Sequence, residues 1–212
     1  MAQSSLNSLK LYGVGAVDSS QLASPAEGTQ LVRYRALAAV VEPAAYSSVK
    51  LDEAEMERYL RVLDEVHAHG SVLPAPPGTV FKTIATLSEW LELHYHTLTE
   101  ALSSVEGHSS ARVSISKQAK QDGIEAHKTF AALAAESLRL LRAHAGATVT
   151  LPAAEGDAEE GIVARASFLI DTERWQAFEE AVSAESARQG ALDLRVTGPW
   201  PPYDFVRMQF GT

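Results

Sequence analysis

The chain has 212 residues, of which 46% are hydrophobic and 21% are charged, and its formal net charge at pH 7 is −9. This composition is typical of globular domains and untypical of disordered chains. No apolar run approaches the length of about 18 residues that a membrane-spanning helix needs. The polar, serine-rich start from Met1 to Lys10 lacks the apolar core of a signal peptide. We therefore expect a cytoplasmic protein without a membrane span.

The charge and the missing cysteines exclude several classes of function. Nucleic-acid binding needs a clustered basic surface, which an acidic chain does not favour. The absence of cysteine removes disulfides, thiolate metal sites and cysteine nucleophiles together, and it fits a reducing compartment. We expect no nucleic-acid partner.

The first half of the chain combines period-two and helical hydrophobic patterns. Alternation predicts strands at Leu9 to Val17, Leu31 to Val41, Val80 to Ile84 and Ala111 to Ser116. In the second of these, Arg33, Arg35 and Leu37 share one face. Helical spacing predicts one helix that begins at an Asp52 cap and ends at Gly70. A second helix is predicted to begin at a Ser88 cap and to end at Gly107.

The second half begins with a long predicted helix from Lys117 to His144, and we place a domain boundary near its start. The N-terminal domain then spans residues 1–117 and the C-terminal domain residues 118–212. Further strands are predicted at Ala147 to Leu151, Ile162 to Ile170 and Leu192 to Thr197, with a helix from an Asp171 cap to Gly190. The sequence thus predicts an α+β protein of two domains, and the order of strand, helix and strand predicts a ferredoxin-like C-terminal domain.

Motifs for cofactor chemistry are incomplete. Gly13 and Gly15 resemble the start of a dinucleotide loop, but Asp18 stands where the third glycine belongs, so a plain turn is favoured. The acidic loop from Glu155 to Glu160, which includes Asp157 and Glu159, lacks the spacing of a calcium loop and is interpreted as a solvated linker.

The histidines do not form a recognisable metal motif. His67 and His69, like His94 and His96, are two apart on predicted helices, which directs their side chains away from each other. We expect His94 to be a core or interface residue, and we expect no metal, no cofactor and no enzyme. A small enzyme or ligand-binding protein on a ferredoxin-like scaffold is the alternative, because fold does not fix function.

The most specific segment runs from Thr197 to Val206 and reads TGPWPPYDFV. It resembles the GPWPPY signature at the C-terminus of the GvpL/GvpF gas vesicle family. Leu11-Tyr12-Gly13 resembles that family's opening strand. Val72-Leu73-Pro74 followed by Gly78-Thr79-Val80-Phe81 resembles its VLP-to-GTVF loop.

Two positions depart from the family pattern. Ala75, Pro76 and Pro77 stand where the family usually carries an aliphatic residue, an arginine and a phenylalanine. Ser109 and Ser110 stand nearest the place of a family glutamate. The resemblance therefore implies no role here for that arginine or that glutamate.

The resemblance implies a non-enzymatic protein at the gas vesicle that has no cofactor and supports assembly of the vesicle wall. Its implied partners are the small apolar shell protein and other gas vesicle accessory proteins, and a minor place on the wall itself is a variant of the same role. The candidate partner-binding residues are those of the signature: Gly198, Pro199, Trp200, Pro201, Pro202, Tyr203 and Phe205. An alternative is that the signature aromatics cover an open end of the core. We also expect an apolar edge strand or face of the C-terminal domain to supply much of the contact.

Overall fold

The computed structural model describes residues 8–16, 26–45, 51–118, 124–157 and 160–206, with the backbone alone for 124–128. Internal contacts divide the chain into two compact units. The first unit contains Met1–Gly107 together with Pro201–Thr212, and the second contains His108–Trp200. Each unit combines an antiparallel sheet with helices, which confirms the predicted α+β class and the two-domain arrangement.

The sheet of the first unit is antiparallel and is built around its first strand. Its strands are β1 Ser8–Ala16, β2 Gln30–Tyr34, β3 Leu37–Ala44, β4 Val72–Pro74 and β5 Val80–Phe81. Their order is β2-β3-β1-β4, and β5 also pairs with β1. β1 is buried over almost its whole length, as expected for a central strand.

Gly13 allows β4 to approach β1 closely. A Cβ atom at this position would lie 2.8 Å from the carbonyl oxygen of Leu73 and 2.8 Å from Cγ2 of Val72. Both distances are far below van der Waals contact, so the backbone of β4 could not keep its place beside a larger residue. The close approach of β4 thus explains why the Leu11-Tyr12-Gly13 motif ends in a glycine.

Three helices complete the first unit: α1 Glu53–His67, α2 Ile84–Leu93 and α3 Tyr95–Val105. α1 begins where the sequence predicts, because the Asp52 carboxylate accepts a hydrogen bond of 2.9 Å from the Glu55 N–H. Both α1 and α3 contact β1 and β4.

The predicted strand from Leu31 to Val41 is in fact a hairpin. β2 ends at Tyr34, β3 begins at Leu37, and Arg35 in the turn between them has a φ of 52°. Tyr34 pairs with Leu37 across the hairpin, so Leu37 shares its side of the sheet with Tyr34 rather than with Arg35. The turn contains no glycine, asparagine or aspartate, the residues that normally mark a two-residue hairpin turn, and the sequence pattern therefore missed it.

The helix predicted from Ser88 to Gly107 begins earlier and is interrupted. Thr83 caps α2, since its hydroxyl accepts a hydrogen bond of 3.1 Å from the Thr86 N–H, whereas Ser88 lies inside the helix. His94 has a φ of −100° and a ψ of 10° and separates α2 from α3. The strand predicted up to Ile84 accordingly ends at Phe81.

The second unit is a ferredoxin-like domain. Its elements are β6 His108–Lys117, α4 Ile124–Leu141, β7 Ala147–Thr150, β8 Ile162–Asp171, α5 Trp175–Gln189 and β9 Leu192–Trp200. The strand order β7-β8-β6-β9, with every pairing antiparallel, is that of a ferredoxin-like βαββαβ domain, in which β6 is the first strand. Phe168 and Phe178 meet in its core with ring centroids 5.2 Å apart.

This division differs from the sequence-based boundary between residues 117 and 118. β6 belongs to the second unit because it is the central strand of that sheet and pairs with both β8 and β9. The segment Pro201–Thr212 belongs to the first unit by its contacts. The long helix begins at Ile124 rather than at Lys117, which lies in β6, and residues 119–123 lie outside the described part of the chain.

A buried polar group links the two helices of the second unit. Ser137 on α4 donates a hydrogen bond of 2.6 Å to the Glu185 carboxylate on α5. Arg188 donates two more, of 2.7 and 2.8 Å. The bonds from Arg188, against the opposing effect of burial and with help from Ser137, lower the pKa of Glu185 to about 2.

We expect Glu185 to make the stability of the second unit depend on acid pH. A carboxyl group whose pKa is lowered by folding stabilises the fold above its ordinary pKa of 4.5, and this contribution is lost as the pH falls towards about 2. In urea unfolding, Glu185→Gln should flatten the pH dependence in this range. Glu179→Gln, on an exposed residue of the same helix, should leave it unchanged. Parallel curves for the wild type and Glu185→Gln would contradict the assignment.

Candidate functional site: the C-terminal signature

The signature begins at a point where only glycine fits. Gly198 has a φ of 134°, and a Cβ atom there would lie 2.6 Å from Cη2 of Trp175 and 2.8 Å from the carbonyl oxygen of Ser110. The next peptide bond, between Gly198 and Pro199, is cis. The register between β9 and β6 shifts here, and Trp200 pairs with Ser110.

Trp200 is held by a local contact and is only partly buried. Its indole Nε1 donates a hydrogen bond of 3.2 Å to the Thr197 hydroxyl. The core cluster of the second unit includes Trp175 at its margin but not Trp200. Pro199 is exposed. This end of the signature therefore presents accessible apolar surface.

The two following prolines are buried, and the chain then turns. Pro201 and Pro202 are the buried residues of the signature, whereas Tyr203 and Phe205 are half-buried. The Tyr203 N–H donates to the Pro201 carbonyl at 2.7 Å, and the Phe205 N–H donates to the Pro202 carbonyl at 3.1 Å. Prolines without N–H groups suit this course, since their nitrogens need no acceptor.

Tyr203 packs on an aromatic cluster of the first unit. Its ring lies 6.5 Å from that of Tyr59, and Tyr59 in turn stacks on Tyr12 at 6.2 Å. The Tyr59 hydroxyl donates a hydrogen bond of 2.5 Å to the Ala75 carbonyl, and burial raises the pKa of Tyr59. Tyr203 thus lies beside the core of the first unit, in line with the packing alternative for this residue.

Tyr12 joins this aromatic cluster to a network of charged groups that includes a buried lysine. The Tyr12 hydroxyl donates to Glu42, and Lys10 lies 2.5 Å from Glu55 and 3.2 Å from Glu42. Arg58 Nε also donates to Glu42, at 3.1 Å. Each buried charge has an opposite partner, which offsets the cost of its desolvation.

The pKa values of the network follow from these contacts. Burial opposes the charge of Lys10, but the contacts with Glu55, Tyr12 and Glu42 together outweigh this effect and raise the pKa of Lys10. Burial and the bond to Glu42 raise the pKa of Tyr12. Sequence reasoning missed this network, although a lone lysine between Leu9 and Leu11 in an apolar strand was a signal that could have indicated it.

The positions that depart from the family pattern have structural roles of their own. Ala75 is buried, and its N–H donates to the Tyr12 carbonyl at 2.8 Å. Pro76 accepts a hydrogen bond of 2.7 Å from the Thr79 hydroxyl in the loop turn. Ser110 and Ser167 bond to each other through their hydroxyls at 2.7 Å in a buried position.

The histidines that were considered as metal ligands lie in separate environments. His94 packs on Trp90 with ring centroids 5.1 Å apart, and burial lowers the pKa of His67. His69 contacts the Glu65 carbonyl through Nδ1 at 2.7 Å, and His96 is exposed. Within the described ranges, no three histidine, aspartate or glutamate side chains are grouped to hold a metal ion.

The remaining sequence predictions concern the dinucleotide-like turn, the acidic loop and membrane-spanning helices. Asp18, at the dinucleotide-like turn, and Glu159, in the acidic loop, lie outside the described residues. Asp157 in the same loop is buried and paired with Arg165. None of the helices in the described part of the chain combines the length and the hydropathy needed to cross a membrane.

Comparison with models of known protein families shows which family the chain belongs to. The chain matches the family model described as gas vesicle synthesis protein GvpL/GvpF over residues 10–139 and 118–207. The chain belongs to the GvpL/GvpF family. The match includes both the opening strand β1 and the C-terminal signature, so the resemblance predicted from short motifs is confirmed.

Relatives of this GvpL/GvpF protein are known from haloarchaea. It is 26% identical over 211 residues to gas vesicle protein F1 of Halobacterium salinarum, covering 95% of this chain and 94% of that protein. It is 25% identical over 212 residues to gas vesicle protein F of Haloferax mediterranei, covering 95% of each. Membership of this family supports a role in gas vesicle assembly and associates the chain with gas vesicles.

Solved structures of the family share the fold. The crystal structure of gas vesicle protein GvpF from Anabaena sp. matches with a TM-score of 0.74 at 17% identity and covers 97% of this chain and 98% of that one. GvpF from Microcystis aeruginosa matches with a TM-score of 0.71 at 16% identity, covering 95% and 99%. The similarity therefore extends over both units.

Because Gly198 is tightly packed, the addition of a single methyl group at this position should strongly destabilise the fold. Gly198→Ala should lower the free energy of unfolding by about 2 to 4 kcal/mol, because a Cβ atom would collide with Trp175 and with the Ser110 backbone at an unfavourable φ. Urea unfolding followed by circular dichroism would measure this loss.

Gly156→Ala is the matched control for Gly198→Ala. Gly156 also has a positive φ, of 89°, but a Cβ atom there would meet no other atom within 4 Å. Gly156→Ala should therefore lower the free energy of unfolding by about 1 kcal/mol, which comes from backbone strain alone. Equal losses in the two variants would mean that the contact with Trp175 and Ser110 does not determine the requirement for glycine.

Proposed function

We propose that this protein is a non-enzymatic accessory factor of gas vesicle assembly that binds the shell protein or the growing wall, acting in the cytoplasm at the gas vesicle. The observation that carries the proposal is the match to the GvpL/GvpF family along nearly the whole chain, from residue 10 to residue 207. A minor place on the wall is a variant of the same role, and other gas vesicle accessory proteins are further proposed partners.

A physical need for such a factor follows from the nature of the wall. A small apolar shell protein exposes strand edges and apolar faces before it assembles, and such surfaces aggregate unless they are covered. A partner that covers them for a limited time would keep the monomer available for growth. Binding of this kind needs accessible apolar groups rather than a catalytic site.

The accessible part of the signature supplies such groups. Pro199 is exposed, and Trp200 and Phe205 are half-buried. Aromatic side chains next to prolines lose little entropy on binding and are common among the residues that dominate binding energy. The apolar side chains of β9, such as Leu194, pack in the core, so we place the proposed contact at the signature rather than on the apolar face of this strand.

The proposed contact predicts a loss of binding when the signature is truncated. Trp200→Ala should weaken retention of the cognate shell protein in dilute detergent at least about fivefold, the loss expected for a residue that contributes more than 1 kcal/mol. Quantitative pull-down would measure this, with thermal unfolding of each variant to confirm that it is folded.

Leu93→Ala is the control for non-specific adhesion. Leu93 is 80% exposed and lies on α2 of the first unit. Its removal should leave retention of the shell protein unchanged. If an unrelated apolar protein is retained as well as the shell protein, or if both variants bind like the wild type, the proposed contact is wrong.

Loss of the gene should impair vesicle formation. We expect deletion cells to contain few or no gas vesicles by electron microscopy, because unprotected shell protein would aggregate. A plasmid copy carrying Leu93→Ala should restore vesicles, whereas one carrying Trp200→Ala should restore fewer. Normal vesicles in the deletion strain would refute the assembly role.

A further inference from the structure

An arginine at the β2–β3 hairpin turn is held between two tyrosine rings. The Arg35 guanidinium carbon lies 5.4 Å from the centre of the Tyr34 ring and 5.2 Å from that of the Tyr95 ring. The two rings meet edge to face at 6.0 Å. Such cation–π contacts fix the orientation of the guanidinium while leaving its N–H donors available. We call Tyr34, Arg35 and Tyr95 the arginine corner.

The backbone of the arginine corner is unusual for its sequence. Arg35 is a non-glycine residue with a φ of 52°, a conformation that costs free energy and that is concentrated at functional sites. Arg33 and Arg35 are both exposed. Neither side chain forms an ion pair or a hydrogen bond with another described residue. Two arginines without carboxylate partners contrast with the net charge of −9 of the whole chain.

A cleft of about 430 Å³ adjoins the arginine corner within the first unit. Ala36 and Leu37, which directly follow Arg35, line one side, and Thr99, Leu102 and Ser103 of α3 line another. Tyr95 lies one helical turn before Thr99, whose hydroxyl bonds to the Tyr95 carbonyl at 2.9 Å. The β2–β3 hairpin and α3 thus supply residues to both the cleft and the arginine corner.

We propose that the arginine corner and this cleft together bind a partner segment in which an acidic side chain stands next to a large apolar one. The acidic side chain would meet the oriented guanidinium of Arg35, and the apolar side chain would enter the cleft beside Leu37 and Leu102. This inference rests on the proposed function, because it takes the shell protein as the bearer of the segment.

Charge complementarity selects this occupant. A guanidinium that already has its faces on aromatic rings recognises a carboxylate through planar, paired hydrogen bonds. Glu106 also lines the cleft, so a basic side chain is the competing occupant. A basic segment would be repelled by Arg35, and its binding would not decrease when Arg35 is removed.

The test measures binding of detergent-dispersed shell protein to the immobilised full chain by biolayer interferometry. Arg35→Gly removes the side chain, and glycine adopts a φ of 52° without strain, so the fold should be retained. We expect affinity to fall about tenfold or more, as for loss of a charge-assisted pair, and wild-type affinity to fall with added salt. Arg61→Ala, on an exposed arginine of α1, should bind like the wild type.

A second pair of variants tests the cleft. Ser103 lines it, whereas Ser104 is exposed on the same helix and does not. Ser103→Trp should fill the cleft and weaken binding, and Ser104→Trp should not. Unchanged binding by Arg35→Gly, or equal effects of the two tryptophans, would overturn this inference while leaving the proposed function intact. No binding by the wild type would count against both.

Discussion

The close approach of backbone and side chains at Gly198 is the constraint on which the C-terminal signature depends. Neither Trp175 nor the carbonyl of Ser110 leaves room for a Cβ atom there, and the φ of 134° is itself a glycine conformation. Because β9 must pass this point without a side chain, its register against β6 shifts, and the chain leaves the sheet at Trp200. The end of β9 is therefore set by packing inside the second unit.

The signature combines buried and accessible residues, which its sequence alone does not distinguish. Pro201 and Pro202 are buried, and Tyr203 packs against Tyr59, so these residues stabilise the fold. The Trp200 indole donates to the neighbouring Thr197 hydroxyl, and the side chain is only half-buried. A stretch of residues shared across a family can thus contain positions kept for packing beside positions free to bind, and only burial distinguishes them.

Sequence predicted the elements whose ends carry a strong chemical signal. The Asp52 cap and the left-handed Gly190 lie where the pattern indicates, because each satisfies backbone groups that a helix end leaves open. Asp171 caps a short 3-10 turn, Thr172–Arg174, and α5 begins after this turn at Trp175. The Arg35 turn and the Thr83 cap were missed, since an arginine does not mark a turn and threonine competes with the nearby Ser88 as a cap. The membership of β6 in the second sheet was missed because pairing between distant strands leaves no local pattern.

The buried charges of the first unit show why its interior could be predicted only in part. Lys10 looks like the exposed residue of an alternating strand, yet it is buried because Glu42 and Glu55 reach it from β3 and from the start of α1. Three elements must be in place before that lysine is satisfied, so its role follows from tertiary structure alone. Arg35 is the opposite case: it is exposed and its donors have no acidic partner in the described part of the chain, while its orientation is fixed by Tyr34 and Tyr95. Both residues are cations in an acidic chain, and they differ in the position of the carboxylates around them. Lys10 stabilises the fold because Glu42 and Glu55 pair with it, whereas Arg35 has no such pair among the described residues.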